Sequence, residues 1–90
     1  MSKREILCKM FINKTHDGKN NICGNKVSAL RKSMRLSQRA LADRLQLIGL
    51  DVDKNAIQRM ESGQRFITDI ELTYLAIALD TTISELFSDV

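Results

Sequence analysis

Four helix-start signals partition most of this chain. Ser37, Asp53, Thr68 and Thr82 each carry a side-chain oxygen able to accept a free backbone N–H at a helix N-terminus. At Thr68 and Thr82 a glutamate follows three residues later (Glu71, Glu85), which is the pattern of a reciprocal capping box. Proline is absent and there are only four glycines, so helices run unbroken between these signals and strand-turn signals are few. Apolar residues fall at helical spacing in each interval: Val27, Leu30 and Met34 with Arg31, then Leu41, Ala42 and Leu45, then Ala56, Ile57 and Met60, then Leu72, Leu75, Ala76 and Leu79. Gly49 marks a bend, Gly63 suits the left-handed residue that follows a helix, and a last short helix runs through Phe87. The expectation is an all-α, compact five-helix domain over residues 24–90.

Residues 1–23 form a separate N-terminal extension. Ile6, Leu7, Met10 and Phe11 fit a short amphipathic helix, and Ile6, Cys8, Met10 and Ile12 fit an alternating strand equally well. Thr15 to Asn21 reads as a polar turn.

Ninety residues make one small domain, with no room for a separate catalytic or effector unit. At 43% hydrophobic and 28% charged, the composition is that of a folded globular chain. No stretch approaches the ~20 apolar residues a bilayer requires, and the N-terminus lacks the apolar run of a secretory signal. A cytoplasmic protein without a membrane partner is expected. Cys8, Cys23 and the single histidine, His16, match no metal or redox spacing, so two reduced structural thiols and no metal are expected. Phosphate-loop, dinucleotide and nucleophile-elbow motifs are missing, which argues against an enzyme and against any cofactor or small-molecule effector.

The charge is unevenly distributed. All 14 Lys and Arg lie between Lys3 and Arg65, leaving residues 1–65 at a net +8, whereas residues 66–90 carry five acids and no base. A front that faces a polyanion and an acidic back follow from that split. Five of the bases (Lys3, Arg4, Lys9, Lys14, Lys19) belong to the extension. In the third helix, Ala56, Ile57 and Met60 share one arc, and Lys54, Asn55, Gln58, Arg59 and Ser62 share the opposite one with Glu61 at its margin. These are side chains able to donate to guanine or to pair with adenine.

Residues 24–88 resemble the phage-repressor/Cro-like (XRE-type) helix-turn-helix domains. The matching stretches are Leu30-Arg31-Lys32, Leu36 to Leu45 (Leu-Ser-Gln-Arg-Ala-Leu-Ala-Asp-Arg-Leu), Asn55 to Gly63 (Asn-Ala-Ile-Gln-Arg-Met-Glu-Ser-Gly) and Ile83 to Phe87. The resemblance implies a lambda-repressor-like fold whose third helix enters the major groove of double-stranded DNA. It implies base contacts from Lys54, Asn55 and Arg59, with Gln58 beside them at the backbone or at neighbouring bases. Ser37, Gln38, Arg39, Gln64 and Arg65 would contact phosphates, and Lys32 and Arg35 would add longer-range attraction. Arg31 would pair with Glu61 as a structural ion pair. The segment Gln46 to Val52 departs from the family's tight turn by being longer. A longer second helix that buries Leu47, Ile48, Leu50 and Val52 would accommodate it.

The fourth helix carries a second apolar set, Ile70, Tyr74 and Ile77, on the side away from Leu72, Leu75 and Leu79. Either the N-terminal segment or a second subunit would cover it. The implied function is a sequence-specific transcriptional regulator, a repressor acting as a homodimer on a two-fold operator. The alternative is a protein-interaction module or antitoxin that uses the same fold, with DNA binding secondary.

Overall fold

The computed structural model describes residues 18–88. Among them are five helices and no strand: α1 (Gly24–Ser33), α2 (Gln38–Leu47), α3 (Lys54–Ser62), α4 (Asp69–Ala78) and α5 (Ile83–Leu86). Each of the four helix-start signals forms its cap. Ser37 Oγ accepts from the Ala40 N–H at 2.9 Å, and Asp53 Oδ1 from the Ala56 N–H at 2.8 Å. Thr68 and Glu71 cap each other's N–H groups at 3.2 and 2.9 Å. Thr82 accepts from Glu85, whose carboxylate reaches Lys26 Nζ on α1 at 3.1 Å. The start of α1 is capped differently: Cys23 makes no side-chain cap bond, and Asn21 Oδ1 takes the Gly24 N–H instead.

The first four helices close in one way. At each C-terminus two N–H groups fold back onto the last-turn carbonyls, as in Leu36→Arg31 with Arg35→Lys32, and Leu50→Leu45 with Gly49→Gln46. The residue that turns the chain is left-handed in every case: Arg35 (φ 59), Gly49 (φ 107), Gly63 (φ 82) and Asp80 (φ 52). These stops keep the links short, so the apolar faces meet around one core.

Val27 of α1, Leu41 and Leu45 of α2, Ile57 and Met60 of α3, Leu75 of α4 and Leu86 of α5 are fully buried. Each such side chain contributes about 1.5–3 kcal/mol through burial. Leu30, Met34, Leu72 and Phe87 are half-buried at the margin of that cluster. The expected burial of Leu47 and Ile48 is not found. They are 86% and 39% exposed, because α2 ends at Leu47 and the chain reverses at Gly49 before either can turn inward. Only the far half of the long turn packs: Val52 is buried, Leu50 half-buried, and Gln46 Nε2 donates to the Val52 carbonyl at 2.7 Å to brace the loop. The readings of Ile6, Leu7, Cys8, Met10, Phe11, Ile12 and His16 concern positions outside the described residues. No helix among the described residues is long and apolar enough to cross a membrane.

Candidate nucleic-acid interface

The orientation of α3 follows from its two arcs. Ile57 and Met60 are fully buried and Ala56 half-buried, so Lys54, Asn55, Gln58, Arg59 and Ser62 are all exposed. The one carboxylate within the helix, Glu61, is turned away from that surface. Arg31 Nε donates to Glu61 Oε2 at 2.6 Å and Nη2 to Oε1 at 3.0 Å, while Nη1 donates to the Leu36 carbonyl at 2.7 Å. Gln38 Nε2 on α2 adds a bond to Glu61 Oε1 at 3.1 Å. With its acid neutralised inside, α3 presents amides and two cations, Lys54 and Arg59. Such a surface donates hydrogen bonds toward acceptor-rich base edges and does not repel a polyanion.

The remaining residues are placed as follows. Arg39 is exposed and shares a polar cleft of about 500 Å³ with Asp43, Gln46, Asp53, Lys54 and Asn55. Start of α2 and start of α3 therefore border one surface. Ser37 is exposed with its hydroxyl engaged as the cap, and Gln38 is half-buried with its amide on Glu61. Gln64 is exposed. Arg65 is half-buried, and its Nη1 donates to Glu71 Oε2 at 2.8 Å and to the Phe66 carbonyl at 3.3 Å. Lys32 and Arg35 are exposed. On α4, Ile70 and Ile77 are 64% and 60% exposed, whereas Tyr74 is half-buried against the core with its hydroxyl beside Gly49. The three therefore do not act as one uniform exposed stripe.

Two residues of the polar turn ahead of α1 reach this region. Asn20 and Asn21 bond to backbone carbonyls at the end of α3 and in the loop after it, and Cys23 is buried in the core. Packing against the helical unit thus extends back past Gly24. The available signal was a pair of asparagines just ahead of a helix without a capping residue of its own.

Comparison with known proteins agrees with this geometry. The helix-turn-helix family profile matches residues 27–86. The control protein C.MunI of Mycoplasma sp is 35% identical over 68 residues, which span 74% of this chain and 85% of that protein. No solved structure matches the chain with significance. A buried α1–α3 ion pair, an acid-free outward arc on α3 and a family match that reaches from within α1 to the end of α5 lead to one conclusion: the chain belongs to the XRE-type helix-turn-helix family of DNA-binding transcription regulators.

Proposed function

We propose that this protein reads a specific duplex sequence with α3, as a homodimer on a two-fold operator, and represses by occluding a promoter. The observation that carries the reading is the outward arc of α3, where five polar side chains are exposed and the helix's own carboxylate is held inside by Arg31. In this reading Lys54, Asn55 and Arg59 meet base edges and Gln58 lies beside them. Arg39, Gln64 and Arg65 meet phosphates, and the N-terminus of α2 at Ser37 and Gln38 offers backbone N–H groups and a favourable dipole to another. Because the Gln38 amide is spent on Glu61, its contribution comes through the backbone.

Dimerisation follows from economy. One short helix reads only a few base pairs, and two half-sites a helical turn apart multiply that preference. The exposed Ile70 and Ile77 supply an apolar surface for the second copy. The same surface favours the second reading, a module whose main partner is another protein.

Selection from a random duplex library, followed by titration of the selected site at several salt concentrations, tests the proposal. Lys54→Ala and Arg59→Ala each lose about 1–3 kcal/mol of discrimination at defined base positions. Arg39→Ala weakens all sequences alike and lowers the salt slope by about one. Absence of duplex binding at low salt rejects the regulator reading and leaves the protein-partner one.

A further inference from the structure

α1 begins where α3 ends. A Cβ on Gly24 would stand 2.4 Å from the Met60 carbonyl oxygen and 2.9 Å from that of Glu61, so glycine is required for this approach. Asn21 fills the junction, with both amide hydrogens and the amide oxygen engaged. Its Oδ1 accepts from the Gly24 N–H at 2.8 Å, and its Nδ2 donates to the Met60 carbonyl at 2.9 Å and to the Arg65 carbonyl at 2.7 Å. Asn20 continues the seam, its N–H on the Gly63 carbonyl at 2.7 Å and its Nδ2 on the Gln64 carbonyl at 2.9 Å. The last carbonyls of a helix have no partner within it; Asn21 gives the Met60 carbonyl a second donor beside the Gly63 N–H, and Asn20 serves the loop carbonyls of Gly63 and Gln64.

We propose that Asn21 is a positioning residue for DNA reading: it fixes the C-terminal end of α3 and the Gly63–Arg65 loop against the start of α1, and so sets the tilt at which α3 presents Arg59 and the loop presents Gln64. The proposal rests on α3 being the recognition helix. Three observations give Asn21 this part. Its side chain bonds both to α3, at the Met60 carbonyl, and to the backbone beyond the helix terminus, at the Arg65 carbonyl. Its bonds fix the amide in one orientation, since reversing it would set oxygen against two carbonyls and N–H₂ against an N–H. The abutting ends are also of opposite dipole sense, N-terminus of α1 on C-terminus of α3, so the contact is attractive. Asn20 is the lesser partner, because its Oδ1 is buried without a hydrogen bond. Paired bonds to a base tolerate little displacement, so a slackened end of α3 lowers discrimination before it lowers general affinity.

The test uses the full chain and two duplexes, the selected operator and a scrambled sequence, at a temperature where each variant is folded by circular dichroism. Asn21→Ala removes all three bonds, and Asn21→Asp keeps the acceptor for Gly24 but loses both donors to the α3 side. Both are expected to reduce the operator-to-scrambled affinity ratio about tenfold; Asn21→Ala leaves affinity for the scrambled duplex and its salt slope as in the parent, whereas Asn21→Asp, which adds a negative charge, also weakens the scrambled duplex. Asn20→Ala, the milder variant in case the others fold poorly, reduces the ratio about two- to threefold. A lowered melting temperature with the ratio unchanged overturns the proposal and leaves Asn21 a purely structural cap. A parent chain that prefers neither duplex overturns the recognition-helix reading and this proposal with it.

Discussion

Arg31 and Glu61 join α1 to α3 through two near-parallel hydrogen bonds, with side chains only 10% and 8% exposed. Each partner has a further tie: Arg31 to the Leu36 carbonyl that leads into α2, and Glu61 to Gln38 on α2. One ion pair thereby sets three helices at fixed angles. Losing either member strands a buried charge, so Arg31→Met or Glu61→Leu alone lowers the unfolding free energy by about 3–5 kcal/mol. The double variant Arg31→Met with Glu61→Leu costs well below the sum of the singles, because no charge is left unpaired. Urea denaturation of the four proteins measures this, and additive losses would show that the pair is not coupled.

Two helix stops are held by residues that dislike the conformation they adopt. Arg35 and Asp80 take left-handed backbone where Gly49 and Gly63 do the same without strain. Asp80→Gly and Arg35→Gly each raise the unfolding free energy by about 0.5–1 kcal/mol, read as a rise in Tm of several degrees. The two differ on DNA. Arg35→Gly also removes an exposed cation beside the proposed DNA-facing surface and weakens binding to every sequence, while Asp80→Gly leaves binding unchanged. A fall in Tm for Asp80→Gly would mean that its side chain does more than terminate α4.

Cys23 is 2% exposed, and burial pushes its thiol pKa up. The sign of the pH effect follows from linkage. Below the ordinary thiol pKa both folded and unfolded states hold the proton, and this contribution to stability is complete. Above about pH 8.5 the unfolded chain releases the proton while the folded chain retains it, so stability falls as pH rises. Cys23→Ala should flatten that alkaline decline in denaturation midpoints taken from pH 7 to 10. In a Cys8→Ser background the remaining thiol should resist maleimide until denaturant is added. Rapid labelling under native conditions would contradict its burial.

What the sequence disclosed depended on the range of the interaction. Ser37, Asp53, Thr68 and Thr82 were legible as caps because donor and acceptor lie within three residues of each other. The arcs of α3 were legible because helical period alone separates Ile57 and Met60 from Lys54 and Arg59. Leu47 and Ile48 misled, because apolar residues in a turn read as buried until the position of the chain reversal is known, and that reversal is set by backbone bonds at Gly49 and Leu50. Asn20 and Asn21 were illegible for another reason. Their partners are backbone carbonyls 39 to 44 residues away, which carry no side-chain signature. Glu71 combines both cases: its cap of Thr68 is local and readable, and its bond to Arg65 appears only when the loop after α3 folds back onto α4.

The apolar face of α4 supplies the sharpest test of the two-fold operator. Ile70 and Ile77 lie two turns apart on one side of the helix and are mostly exposed, so Ile77→Glu changes the stability of a single subunit by no more than about 0.5 kcal/mol. If that face joins two copies, the charge is placed on both sides of an isologous contact and is counted twice. Sedimentation should then show a dimer for the parent and a monomer for the variant. Operator affinity should fall by about a hundredfold or more, because the second half-site no longer binds as part of the same particle. Affinity for a single half-site should stay as in the parent, since α3 is untouched. Deleting residues 1–17 separates the other candidate cover from this one while sparing Asn20 and Asn21: a dimer that survives the deletion and dissociates with Ile77→Glu places the contact on α4. A dimer that survives Ile77→Glu places it elsewhere and removes α4 from the operator geometry.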